Sequence, residues 1–246
     1  MAQHPWKVAA RFILKRDDAA LSERLAPIPS HGADSVFLMM SETATAWDEE
    51  ACRIAAAIVR RRGLSVAGCA FESTEGASFI STDADVRRWT RGDLVAAMDR
   101  AAWLGASMML LPVPVFSSSD STTARPSYDD TFFRASEALL DLRFEAEQRA
   151  VVIGCGVPSQ RILLSPLEAR SFLDRVNSPW VRASVDADVA MRYSDVADWI
   201  VALRHRVAMI YGGNVSSFGP QTAVAAALVQ VRFDGAVVIP GPDSGT

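Results

Sequence analysis

Two carboxylates, Asp186 and Asp188, stand at the end of the apolar run VRASVDAD. Two residues apart in extended chain, they would point to one face. An aspartate flanked by apolar residues is costly to bury unless it is paired or hydrogen-bonded, which marks Asp186 as a site residue. Such carboxylates accept hydrogen bonds from hydroxyl groups and can move a proton between neighbouring atoms. Other polar residues follow apolar runs in the same way: Glu42, Glu72, Lys15 beside Arg16, and Tyr211 with Asn214. Lys15 and Arg16 could meet a phosphate or a carboxylate. We take Asp186 and Glu72 as catalytic candidates, and Lys15, Glu42, Asp188, Tyr211 and Asn214 as substrate-binding candidates. Against this stands the fact that acids at loop starts are commonly just solvated. The histidines are His4, His31 and His205, none at the end of an apolar run, and His205 suits a helix C-terminus. Cys155 lies between two glycines with no cation or base nearby in sequence, and reads as a buried structural thiol.

The elements that must position these side chains recur eight times as an apolar run, a turn signal and a helix-length amphipathic stretch. The runs are Ala9–Leu14, Ser35–Met40, Leu64–Phe71, Ser107–Val115, Ala150–Ile153, Val181–Val185, Val207–Tyr211 and Ala236–Ile239. Strands alternating with helices imply a parallel sheet, and eight of them in this length imply a closed (β/α)8 barrel with its site at the strand ends. Cap signals place the helices. A short first one lies around Ala19–Leu25; Thr45 with Asp48 opens the second, with Trp47, Ala51, Ile54 and Ile58 inward; Thr90 with Asp93 opens the third. Ser127 opens the fourth, Ser165-Pro166-Leu167-Glu168 the fifth, Ser194 the sixth and Gly219-Pro220 the seventh. Few residues follow Ile239, so the eighth helix is expected to be missing or truncated. That leaves the barrel beside its last strand open to solvent or to a second copy in a homo-oligomer.

With 246 residues, 50% of them hydrophobic, the chain can form one domain over residues 1–246. A net charge of −4 offers no basic surplus for nucleic acid. Three widely spaced cysteines read as reduced thiols, the first residues lack a signal-peptide apolar region, and Met108–Phe116 is broken by Pro112 and Pro114. A cytoplasmic protein with no membrane partner is the expectation. The loops Glu72–Trp89 and Ser117–Ser127 lie on the strand-end face, where long loops serve binding or simply meet solvent.

From about Tyr128 onward, three stretches carry a resemblance: LLSPLEA…FLDRVNSPWV, SVDADVAMRYSDVADWIVALRHRV and VRFDGAVVI, the first two within Ile162–Asn214. They resemble the second half of the xylose isomerase-like TIM barrels, the sugar phosphate isomerases and epimerases. The resemblance implies a divalent metal (Mn, Mg, Co or Zn) held at the ends of strands five to eight by Glu, Asp or Glu, His or Asp, and an acid. The metal clamps adjacent sugar oxygens while acids shuttle a proton. In this chain those positions fall on Gly154 or Gly156, Asp186, Ile210 or Tyr211, and Ile239 or Pro240. One ligand in four is kept, so the ligand set is not retained and no metal is expected. The reading is a barrel of this family with a degenerate site, a pseudoenzyme of weak or no isomerase activity that binds a small polyol or sugar-like ligand. The alternative is an active isomerase or epimerase using Asp186 with Glu42, Glu72 and Asp188 in a rearranged site. The nuclease branch of the family needs a dense His, Asp and Glu cluster and a basic groove, and neither is present.

Overall fold

The computed structural model describes residues 6–16, 18–72, 74–75, 77–111, 126–159, 162–213, 218–219 and 221–241. Eight parallel strands close into one barrel in sequence order. They are β1 (Lys7–Leu14), β2 (Ser35–Thr43), β3 (Ser65–Glu72), β4 (Met108–Leu110), β5 (Val152–Val157), β6 (Val181–Asp186), β7 (Val207–Tyr211) and β8 (Ala236–Ile239). Between them run α1 (Leu21–Leu25), α2 (Glu49–Arg61), α3 (Ala84–Leu104), α4 (Tyr128–Arg149), α5 (Pro166–Val176), α6 (Ala187–Ala190), α7 (Val196–Leu203) and α8 (Ala223–Gln230). The turn α6 shares the β6–β7 connection with α7, so among the described residues no helix follows β8. No described helix is long and apolar enough to cross a membrane.

Alternation along each strand divides the core in two. Ala10, Phe12 and Leu14 of β1 join the large cluster between sheet and helices, whereas Ala9 joins the lumen cluster with Phe37, Ala67, Met108, Met209 and Val238. Helix packing completes the outer layer. Phe172 of α5 is fully buried, its ring edge-on to Phe132 of α4 with centroids 5.2 Å apart. Trp199 anchors α7 and is also fully buried.

Helix starts follow the side chains that reach free N–H groups at each first turn. Ser127 and Ser165 cap α4 and α5 as their sequence signals indicate. Elsewhere the start shifts: Asp48 alone caps α2, Asp83 caps α3 seven residues before Thr90, α7 follows Asp195 with no side-chain cap bond, and Thr222 caps α8. On α2 the buried face is Cys52, Ala55, Ala56 and Val59, while Ile54 is 53% exposed, so the apolar stripe is rotated from the one expected. At the other end of α3, Gly105 takes φ 73° and closes the helix in a conformation that L side chains resist. Strand β5 begins and ends later than the run Ala150–Ile153, which brings both Gly154 and Gly156 into the sheet.

Candidate functional site

The candidate site lies where β5, β6 and β7 reach the barrel mouth. Asp186 is the last residue of β6 and the cap of α6, its Oδ1 accepting the Val189 N–H at 3.1 Å. Tyr211, the last residue of β7, pairs with Asp186 in the sheet register. Burial pushes the Tyr211 phenol above its ordinary range, and the Asp186 charge and a hydrogen bond to that carboxylate push it further. The hydroxyl therefore stays protonated beside the Asp186 carboxylate. It also leans over β5: a Cβ added to Gly156 would lie 3.6 Å from the Tyr211 hydroxyl oxygen.

One residue further on, Gly212 takes φ 82°. A Cβ there would stand 2.7 Å from Asp188 Oδ2 and 3.3 Å from Asp186 Oδ1. Both carboxylates thus border Gly212, although not by strand alternation. The strand ends at Asp186, and Asp188 sits exposed in the first turn of α6. The missing side chain at Gly212 leaves the space that the two acids share.

The remaining candidates disperse. Glu72 ends β3 exposed, and no hydrogen bond or ion pair links it to Asp186. It borders a cavity of about 30 Å³ with Phe71, Thr74, Ala77 and Leu94, room on the scale of a water and not of a sugar. Glu42 is half-buried in β2. Lys15 lies just beyond β1, beside the groove between α1 and α2 that Leu21, Ala51 and Ile58 line. Asn214 lies outside the described residues. Cys155 is fully buried, and burial pushes its thiol up to about 12, in keeping with a structural role. The wider concavities lie away from the mouth: about 400 Å³ at the foot of the barrel around Arg182 and His205, and about 410 Å³ between α3 and α4.

One lumen residue was not among the sequence candidates. Arg11 sits between Ala9 of the lumen cluster and Ile13, which is 39% exposed, and strand alternation turns it inward with them. An arginine inside an apolar run is the same signal that selected Asp186.

The ligand set that a divalent metal would need can be tested against these positions. Gly154 is sealed, because a Cβ there would fall 2.4 Å from Ser184 Oγ and 3.1 Å from the Met108 sulfur. Gly156 has room, but the Tyr211 hydroxyl faces that room. At the end of β8 stand Ile239 and Pro240, which carry no side-chain donor. Among the described residues no group of three or more His, Cys, Asp or Glu is arranged to hold a metal ion. The residues at these positions do not fit a four-ligand divalent site.

The family model for xylose isomerase-like TIM barrels matches residues 25–212. The chain belongs to this family. Among solved structures it is similar to D-psicose 3-epimerase crystallised in the presence of D-fructose, with TM-score 0.77 and 13% identity over 96% of this chain and 88% of that one. It is also similar to the Clostridium cellulolyticum H10 D-psicose 3-epimerase with D-tagatose, with TM-score 0.76 and 14% identity over 96% and 88% of the two chains. A third is the apo 3-keto-D-glucoside 4-epimerase from E. coli, with TM-score 0.72 and 14% identity over 96% and 92%. At these identities the likeness is one of fold. No curated protein matches the sequence significantly.

Proposed function

We propose that this barrel binds a small polyol or sugar-like molecule at its mouth and that its isomerase chemistry is weak or lost. The observation that carries the reading is the Asp186–Tyr211–Gly156 arrangement. A protonated phenol faces the place where the family's first ligand would stand and engages the one retained carboxylate. Asp186 and Tyr211 together offer acceptor and donor groups to a ligand's hydroxyls. Gly156 keeps that corner open for the ligand itself. Proton transfer beside a carbonyl needs a group that stabilises the developing oxyanion, and the Asp186–Tyr211 pair alone supplies one neutral donor already turned to the carboxylate.

Two of the solved structures named above were crystallised with D-fructose or D-tagatose, so these two sugars are the first probes. The thermal midpoint is to be followed with each sugar, with and without Mn²⁺, Co²⁺, Mg²⁺ and Zn²⁺, alongside an epimerisation assay. A sugar-dependent rise that metals do not enlarge, with no turnover, is the expected result. A ligand at 100 times its dissociation constant adds about 2.7 kcal/mol, enough to move the midpoint by several degrees. Metal-dependent interconversion of the sugars would instead establish the rearranged enzyme that uses Asp186 with Glu42, Glu72 and Asp188. The three buried free thiols suit a reducing compartment, and we assign the chain to the cytoplasm on that ground.

A further inference from the structure

The sheet register, carried around the barrel with the one-residue climb per strand of this architecture, brings Arg11, Ala70, Gly156 and Tyr211 to one height. These are the inward residues of alternate strands, the arrangement that forms one layer of such a barrel. Two of the four are alanine and glycine. The layer is therefore underfilled, and the space above it reaches solvent, since Arg11 is exposed and Ile13 is 39% exposed on the inward face of a closed sheet. Among the described residues no carboxylate, carbonyl or hydroxyl bonds the Arg11 guanidinium. By contrast, Arg24, Arg91, Arg149, Arg175 and Arg182 are all engaged in ion pairs on the outer shell or at the foot of the barrel. A guanidinium with five donors thus stands in the lumen, in the same layer as the Tyr211 phenol and just below Asp186.

We propose that Arg11 is the anchor for a ligand carboxylate, so that the mouth takes a polyhydroxy monoacid, its carboxylate on Arg11 and its hydroxyls on Tyr211 and Asp186. The inference rests on the reading of the mouth as a polyol site. A planar guanidinium matches a carboxylate through two parallel N–H···O bonds. The charge balance sets the limit on the ligand. One arginine compensates one negative charge, and the neighbouring carboxylates Asp186 and Asp188 repel a second, which disfavours a phosphate dianion.

The test is calorimetric binding of three probes that differ at one end of the same six-carbon chain: D-gluconate, D-glucitol and D-glucitol 6-phosphate. Gluconate is expected to bind roughly 10- to 100-fold more tightly than glucitol, the range for hydrogen bonds to a charged group. Its affinity should fall with added salt while that of glucitol holds. In Arg11→Gln the preference for gluconate disappears and glucitol affinity is kept; Arg11→Lys lies between, having charge without the fork. Salt dependence in the unaltered protein supports or overturns the proposal even if the variants fold poorly. Equal affinity for gluconate and glucitol overturns the carboxylate anchor and leaves the polyol reading standing. Tighter binding of the 6-phosphate overturns the monoacid class. Failure of all three to bind removes the polyol reading and this inference with it.

Discussion

Tyr211 is the side chain whose chemistry most changes what Asp186 can do. The phenol is held protonated by burial and by the adjacent carboxylate, so its folded pKa is raised. A raised pKa stabilises the fold below the unfolded tyrosine value, near 10, and the contribution is lost as pH rises beyond it. Ultraviolet titration of the native protein should therefore show a late tyrosinate signal, well above the usual range, that Tyr211→Phe removes. A Tyr211 that ionises near pH 10 would mean the phenol does not engage Asp186. Asp186 was legible in the sequence because a carboxylate inside an apolar strand is an anomaly. Arg11 carries the same anomaly, whereas Lys15 drew notice only by following its run and lies instead beside the α1–α2 groove. The contact of Asp188 with the site was not readable from spacing, since it depends on the turn α6 and on the bare Cα of Gly212.

At the scale of elements, the entry to α5 shows how a cap can organise a loop beyond its own helix. Ser165 accepts the Glu168 N–H at 3.2 Å, and the Glu168 carboxylate reaches back to the N–H groups of Leu163 and Leu164 at 2.8 and 2.9 Å. Leu163 is held at φ 61° there, a strained position for leucine. Glu168→Ala removes these two charge-assisted bonds and a third from the Tyr128 hydroxyl, and should cost about 2 kcal/mol in denaturant unfolding, more than the ~1 kcal/mol of an ordinary cap. A loss under 0.5 kcal/mol, roughly a surface change, would show that the loop holds itself. Helices α3 and α4 are tied by Glu145, which meets Arg91 at 3.0 Å and Arg149 at 2.8 Å, while Arg149 also meets Asp99 at 2.7 Å. The Arg91 and Arg149 hydrogen bonds hold the Glu145 carboxyl below the usual carboxylate range. Its stabilisation is therefore present above the unfolded glutamate value and lost as pH falls through the folded one. Glu145→Gln should be less stable by at most ~1 kcal/mol at neutral pH, a partly exposed network, with the gap closing in acid. A gap that persists unchanged in acid would rule out the ion pairs as its source. The capping box of α5 was legible because Ser, Pro and Glu fall at fixed offsets. The starts of α2, α7 and α8 were not, because several candidate residues lie within a turn of one another and only the fold decides where the helix begins, while α3 begins at Asp83, seven residues ahead of Thr90.

At the scale of the whole molecule, the closed barrel follows from eight apolar runs whose spacing leaves one helix-length segment between neighbours. That much was written plainly in the sequence, since burial on both faces demands continuous apolar strands. The lumen was less legible: which residues share a layer depends on the stagger of the strands around the closed sheet, a property no single run displays. The same stagger brings Gly156, Tyr211 and Arg11 to one layer of the lumen. The account rests on the proposal that no metal is held at the mouth above it. Equilibrium dialysis of the purified protein against Mn²⁺, Co²⁺, Mg²⁺ and Zn²⁺ in turn, with bound metal counted per chain, tests it most directly. The account predicts far less than one ion per chain at micromolar metal and no change in that figure on adding D-fructose. One ion per chain, lost in Asp186→Asn, would contradict it and restore a metal-dependent isomerase.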